Sequence, residues 1–167
     1  MKNLVYSYSF LIFCVVFTSC VNFKNEDPAA TKAMQDSSFV QQSTPVFHAS
    51  HEPKKADAPF SDVIQVGNTY YLSGQIGMDH STRALVAGGI EAETQQTIEN
   101  IKQVLAQHGM GLTNVVKCLV VLDDIENFSA FNSIYESHFP QKPARTTFAA
   151  AALARGATIE IEVIAIK

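Results

Sequence analysis

Two residues near the end of the chain, in PARTTFAAAALARGATIEIEVIAIK, have side chains that can do chemistry together: Arg145 and Glu160. A guanidinium is a planar fork that grips a carboxylate through two parallel hydrogen bonds, which a lysine ammonium cannot reproduce. A glutamate in a cleft of low dielectric orders a water or moves a proton, provided that its pKa suits the task. The pair therefore reads as an anion clamp beside a water-handling carboxylate. The same two residues would also serve as a cross-strand ion pair that fixes register, and spacing does not choose between these readings.

The elements that would position them follow from periodicity. In TIEIEVIAIK a strand's period of two puts Ile159, Ile161 and Val163 on one face, and Glu160, Glu162, Ile164 and Ile166 on the other. Upstream, short apolar runs at Pro45 to His48, Asp62 to Val66 and Thr69 to Ser73 read as strands, the last two joined as a hairpin by Gly67-Asn68. From Ile90 to His108, Thr94, Thr97, Ile98, Ile101, Val104 and Leu105 recur at helical spacing, and Gly109 suits the stop. VVKCLVVL at 115–122 reads as a strand. A second helix is expected from Glu126 to Phe139, with Phe128, Phe131, Tyr135 and Phe139 on one stripe and Pro140 beyond its end. Two last strands are expected near Arg145 to Ala151 and Thr158 to Ile166, around a loop at Leu153 to Gly156. The order predicts an α+β layer with both helices on one face of one sheet.

Strand 115–122 is apolar on both faces, and helices on one side cover only one of them. A second copy of the chain is the expected cover, which predicts a homo-oligomer. Glu160, Glu162, Ile164 and Ile166 would then line an interface that is partly a cleft. Arg145 and Thr147 share one face of what is expected to be the neighbouring strand, and are expected in the same cleft.

Bulk properties bound the rest. The 167 residues are 47% hydrophobic and carry a net charge of -4, enough for one domain with a real core and without the basic stripe that nucleic acid requires. Residues 1–19 have one early lysine, an apolar run from Phe10 to Phe17 and small residues before Cys20, the layout of a secretory signal. The ending resembles a bacterial lipoprotein signal, which implies lipidation of Cys20 and an extracytoplasmic domain anchored to a membrane. Residues 20–43 read as a flexible tether, and 44–167 as the folded domain. Cys14 falls in the leader, Cys20 at its end and Cys118 in a core strand, so no disulfide framework is expected.

The run SGQIGMD, the helix text GGIEAETQQTIENIKQVL, the strand VVKCLVVLDDIENFSAFNSIY and the ending PARTTFAAAALARGATIEIEVIAI resemble the RidA/YjgF family of reactive-intermediate deaminases over about residues 45–167. That resemblance implies a chorismate-mutase-like fold, assembled as a homotrimer around a central barrel with a site at each subunit interface. It implies hydrolysis of amino-acid-derived enamines and imines, such as 2-aminoacrylate, to a 2-keto acid and ammonia, the chemistry of a 2-iminobutanoate/2-iminopropanoate deaminase, with no metal or organic cofactor. On this footing Arg145 matches the carboxylate-binding arginine and Glu160 the water-activating glutamate, while Phe60, Ser73, Gly74, Asn132 and Thr147 match pocket positions.

Two departures bear on substrate choice. Phe60 stands where the family's P-Y-S-Q motif has tyrosine, so an aromatic wall remains without its hydroxyl. Thr147 stands where a cysteine is usual, which removes thiol chemistry and leaves the backbone. A second function stays open from sequence: a module that binds a small carboxylate in the same pocket without turnover, or a scaffold with vestigial clefts. His48, His51 and Glu52 form an HxxHE cluster with ligand-type side chains, but their place in a strand or loop near the tether favours a structural role.

Overall fold

Alternation in the last strand becomes a burial pattern. In the computed structural model, which describes residues 43–55 and 57–167, Ile159, Ile161 and Val163 are buried while Glu162 and Ile166 face outward. The expected leader, tether and Cys20 lie outside the described residues.

Six strands form one sheet: β1 (Val46–His48), β2 (Val63–Val66), β3 (Thr69–Ile76), β4 (Val115–Leu122), β5 (Ala144–Ala149) and β6 (Ile159–Ile166). Their spatial order is β1-β2-β3-β6-β4-β5. All pairings are antiparallel except β4 with β5, so the sheet is mixed. β2 and β3 meet in the expected hairpin, where Gly67 takes the left-handed conformation that such a turn requires (φ 59°). β3 runs further than expected, to Ile76, because a bulge between Leu72 and Gln75 absorbs Ser73 and Gly74 without ending the strand.

The helices are α1 (Gly89–Gln107) and α2 (Phe128–His138). On α1 the expected stripe of Thr94, Thr97, Ile98, Ile101, Val104 and Leu105 is buried throughout. On α2, Phe131 and Tyr135 are buried, with Phe139 just past the end, whereas Phe128 is partly exposed. Both stripes join Cys118, Val120 and Leu122 of β4 and Ile159, Ile161 and Val163 of β6 in one core. Burying a ring such as Phe131 stabilises the fold by roughly 2–3 kcal/mol.

The opposite face of the sheet has no such cover among the described residues. Strand pairing places Phe47, Ile64, Tyr71 and Ile164 in one row across it, with Leu119, Val121 and Phe148 further along. Phe47 is 68% exposed and Tyr71 45%, where a core would leave a few per cent.

Candidate active site

The register of β4 and β5 decides where Arg145 points. It lies opposite Cys118, and Thr147 lies opposite Val120. Both β4 residues are buried beneath the helices, so Arg145 and Thr147 are on the helix face. Glu160 lies opposite Val121 and Ile76, on the open face. The expectation that Arg145 and Thr147 share a cleft with Glu160 therefore fails within one chain. The reason is topological: β5 is not adjacent to β6, because β4 lies between them, and the parity of pairing turns the two side chains to opposite sides. No ion pair joins Arg145 to Glu160 among the described residues.

Arg145 has its own setting. Its guanidinium carbon lies 4.6 Å from the ring centre of Tyr135, 5.1 Å from Phe131 and 5.6 Å from Phe128. Ring faces attract a cation by about 0.5–2 kcal/mol each according to solvation, and here they hold the fork without using its N–H donors. It borders a cavity of about 540 Å³ with Asn132, Glu136 and Lys142. Asn132 Nδ2 donates to Glu136 Oε1 at 2.6 Å. Thr147 is two residues along the same face, its Oγ1 buried without a partner among the described residues. Burial pushes the Cys118 thiol up, and the neighbouring Tyr135 phenol further still, so both stay protonated.

Glu160 borders a second cavity, of about 530 Å³, together with Phe60 and Gly74. A Cβ at position 74 would collide with Glu160 Oε1 and come within 2.9 Å of its Cδ; the glycine leaves room for the carboxylate to lie against β3. Burial, then the like charge of Glu162, hold the Glu160 carboxyl above the usual carboxylate range. Phe60 is 55% exposed and forms an aromatic wall. Ser73 fastens the segment that carries that wall: its Oγ donates to Ser61 O at 2.7 Å, and its N–H donates to Asp62 O at 2.9 Å.

Periodicity gave no sign of several residues on this second cavity: Gln75, Asn100, His80, Arg83 and Arg155. Asn100 is buried and donates to the carbonyls of Ile76 and Met78, holding the loop after β3. The HxxHE cluster disperses. Glu52 is buried and binds Lys55 at 2.7 Å, His80 at 3.2 Å and Arg83 at 2.7 Å; its own burial raises its pKa, but those three partners outweigh this and hold it below the ordinary value. His48 packs on His108 with ring centres 4.6 Å apart, and His51 stands beside His80.

Within one chain the seven domain residues named from sequence thus fall into two groups. Phe60, Gly74 and Glu160 share one cavity, with Ser73 behind them; Arg145 and Asn132 share another, with Thr147 beside them. One group offers a carboxylate that can handle a proton, the other a cation that can hold an acid.

The relatives of the chain share this frame. A family profile described as "Endoribonuclease L-PSP" matches residues 49–167. The human 2-iminobutanoate/2-iminopropanoate deaminase is 44% identical over 113 residues, 67% of this chain and 82% of its own length. A RutC family protein of Sulfurisphaera tokodaii is 42% identical over 68% of this chain and 91% of its own. The crystal structure of the YjgF gene product from E. coli superposes with a TM-score of 0.67 at 28% identity, covering 73% of this chain and 98% of that one. With the profile spanning well over half of its length, and the sheet and both helices matched in solved relatives, the chain belongs to the endoribonuclease L-PSP family, that of RidA and YjgF.

Proposed function

We propose that this protein hydrolyses enamines and imines derived from amino acids, of the 2-aminoacrylate and 2-iminobutanoate kind, to 2-keto acids and ammonia, in a site assembled between copies of a homotrimer. One observation carries the reading: the two charged groups that such a reaction needs lie in two separate half-sites, on opposite faces of the sheet, and one of those faces is an apolar surface left uncovered by the described residues, on which another copy can pack. The name of the human relative supports the reaction class.

In this scheme Arg145 of one copy holds the substrate carboxylate, with the imine carbon facing Glu160 of the next. That carbon is already electrophilic, so orientation and a placed water supply most of what is needed. In the protonated imine, which an enamine reaches by taking a proton at its β-carbon, the water oxygen bonds to carbon as the C=N π pair moves to nitrogen, and Glu160 accepts the proton that the water loses, leaving a neutral carbinolamine. The carbinolamine then collapses: the C–N bond breaks, its electrons leave with nitrogen, Glu160 returns the proton to the departing amine, and the hydroxyl proton is lost as the carbonyl forms. A carboxyl held above its ordinary pKa suits both transfers, since it is a stronger base and still a usable acid. Phe60 supplies an apolar wall, and Gly74 the space for the carboxylate to approach.

The test is keto-acid release from imines generated in situ by an amino-acid oxidase, with purified protein and its Arg145→Ala and Glu160→Gln variants. Acceleration by the wild type that both variants lose by about 10²–10⁴-fold supports the assignment; no acceleration by a folded oligomer overturns it. We further propose that a lipid on Cys20 holds the protein outside the cytoplasm. A labelled fatty acid should be incorporated by the wild type and not by Cys20→Ala, and label retained in Cys20→Ala refutes the anchor.

A further inference from the structure

Backbone strain marks a set of cations around the candidate site. Among the described residues, the non-glycine positions with positive φ are Arg83 (63°), Lys142 (53°) and Arg155 (60°). All are basic. Arg83 and Arg155 border the cavity of Glu160, and Lys142 borders that of Arg145. A left-handed conformation is unfavourable for a side chain with a Cβ, and its persistence at a pocket is grounds for asking what the side chain is held there to do.

Arg83 is occupied by Glu52. Arg155 is not: its side chain has neither an ion pair nor a hydrogen bond among the described residues, although it shares the cavity with Glu160. Its turn, at Ala154–Gly156, stands two residues before β6, the strand that carries Glu160. Lys54 borders the same cavity, its ammonium on the carbonyl of Ser81 at 3.1 Å, with no acidic partner among the described residues. The cavity, at 530 Å³, is in the size range that takes drug-sized ligands. Lys54, Lys55, Arg83 and Arg155 outnumber Asp57 and Glu160 on its wall, so it has room and a positive excess beyond what the imine of a small neutral amino acid would use.

We propose that Arg155, with Lys54, forms a subsite for a second carboxylate, so that the substrates include imines of dicarboxylic amino acids, with the acid on the side chain bound at Arg155 while the α-carboxylate is bound at Arg145. The inference deepens the deaminase reading and takes its reaction from it, but the subsite itself is a statement about binding. An arginine fork suits a carboxylate, which it can engage through two bonds at once.

Two measurements separate the claims. Turnover is compared for imines released from glutamate and from methionine, a neutral amino acid of similar length, in wild type, Arg155→Gly and Arg155→Lys. Glycine accepts the backbone at φ 60° and so preserves the turn. The ratio of kcat/KM for the acidic over the neutral imine should fall about tenfold in Arg155→Gly, the loss expected for a hydrogen bond to a charged group, and recover in part in Arg155→Lys. Equal losses on both imines overturn the subsite. Thermal stabilisation is then measured with 2-oxoglutarate, 2-oxobutanoate and inorganic phosphate at equal concentrations. Stronger stabilisation by 2-oxoglutarate, lost in Arg155→Gly, supports the subsite even if no imine is turned over, in which case only the hydrolase reading falls. Phosphate acting as strongly as 2-oxoglutarate would mean that the cations hold a free anion, and would overturn the substrate claim.

Discussion

The two cavities hold their charged groups by opposite means. Arg145 is held by what surrounds it: three aromatic rings of α2 lie within 4.6–5.6 Å of its guanidinium carbon, and the helix is packed on the core. Glu160 is placed by what is missing, a side chain at Gly74, and has an exposed like charge, Glu162, on its own face. The first is a cation in a stiff cage, the second a carboxylate whose proton affinity is raised by its setting. A clamp benefits from rigidity, whereas a proton carrier needs a tuned pKa and freedom to approach the reacting carbon.

The sharpest way to break this comparison is to ask whether the halves work in trans. Arg145→Ala and Glu160→Gln should each be nearly inactive. Mixed, denatured and refolded together, they should regain about a quarter of wild-type activity, because random assembly pairs an intact arginine half with an intact glutamate half at one interface in four. Activity that stays absent from well-folded mixed oligomers would place both groups of one site in the same copy.

Next in size is a contrast between two glycines. Gly74→Ala forces the mobile end of Glu160 aside, so the fold should survive while kcat/KM falls about 10²-fold, as expected for a reacting group displaced by an ångström or so. Gly77→Ala would instead bring its Cβ to 2.6 Å from Glu93 Cα, which is backbone. Glu93 is buried, and its Oε2 accepts the Thr158 N–H at 2.8 Å, so the start of β6 moves with it. That variant should lose about 1–3 kcal/mol in denaturant unfolding. The reverse order, with Gly74→Ala unstable and active, would contradict the picture of a carboxylate placed by an absent side chain.

Smaller still is the cage. Phe128→Leu removes the outermost ring from Arg145, at a partly exposed position, and should raise KM about two- to fivefold with kcat little changed. The smallest effect concerns pH. The Glu160 carboxylate is lost as pH falls through a value above the ordinary 4.5, so the acid limb of the rate should lie higher than an unperturbed glutamate gives. Glu162→Gln removes a cause that raises it and should move that limb to lower pH. An unmoved limb would assign it to another group.

Much of the fold was legible because it follows from local pattern. The stripe of α1 and the alternation of β6 are fixed by side-chain period, and both are buried as expected. The hairpin followed from Gly67-Asn68. The orientation of Arg145 was not legible, since it depends on β5 pairing with β4 in parallel and on the parity of that register, which no single strand encodes. β3 looked shorter because Gly74 resembles a terminator, whereas the bulge makes it part of the strand. The Glu52 cluster joins residues 31 apart, Arg83 and Glu52, and the strain at Arg155 is a backbone property; neither leaves a mark in composition.

The stacking of Tyr135 gives the molecule an optical handle. The chain has no tryptophan, so the near-ultraviolet signal of the described domain is dominated by Tyr70, Tyr71 and Tyr135. Tyr135 touches the guanidinium, while Tyr71 stands on the open sheet face. One chromophore is thus positioned to report occupancy of the cation half-site and another to report contact between copies, and replacing either with phenylalanine separates the two signals without any added dye.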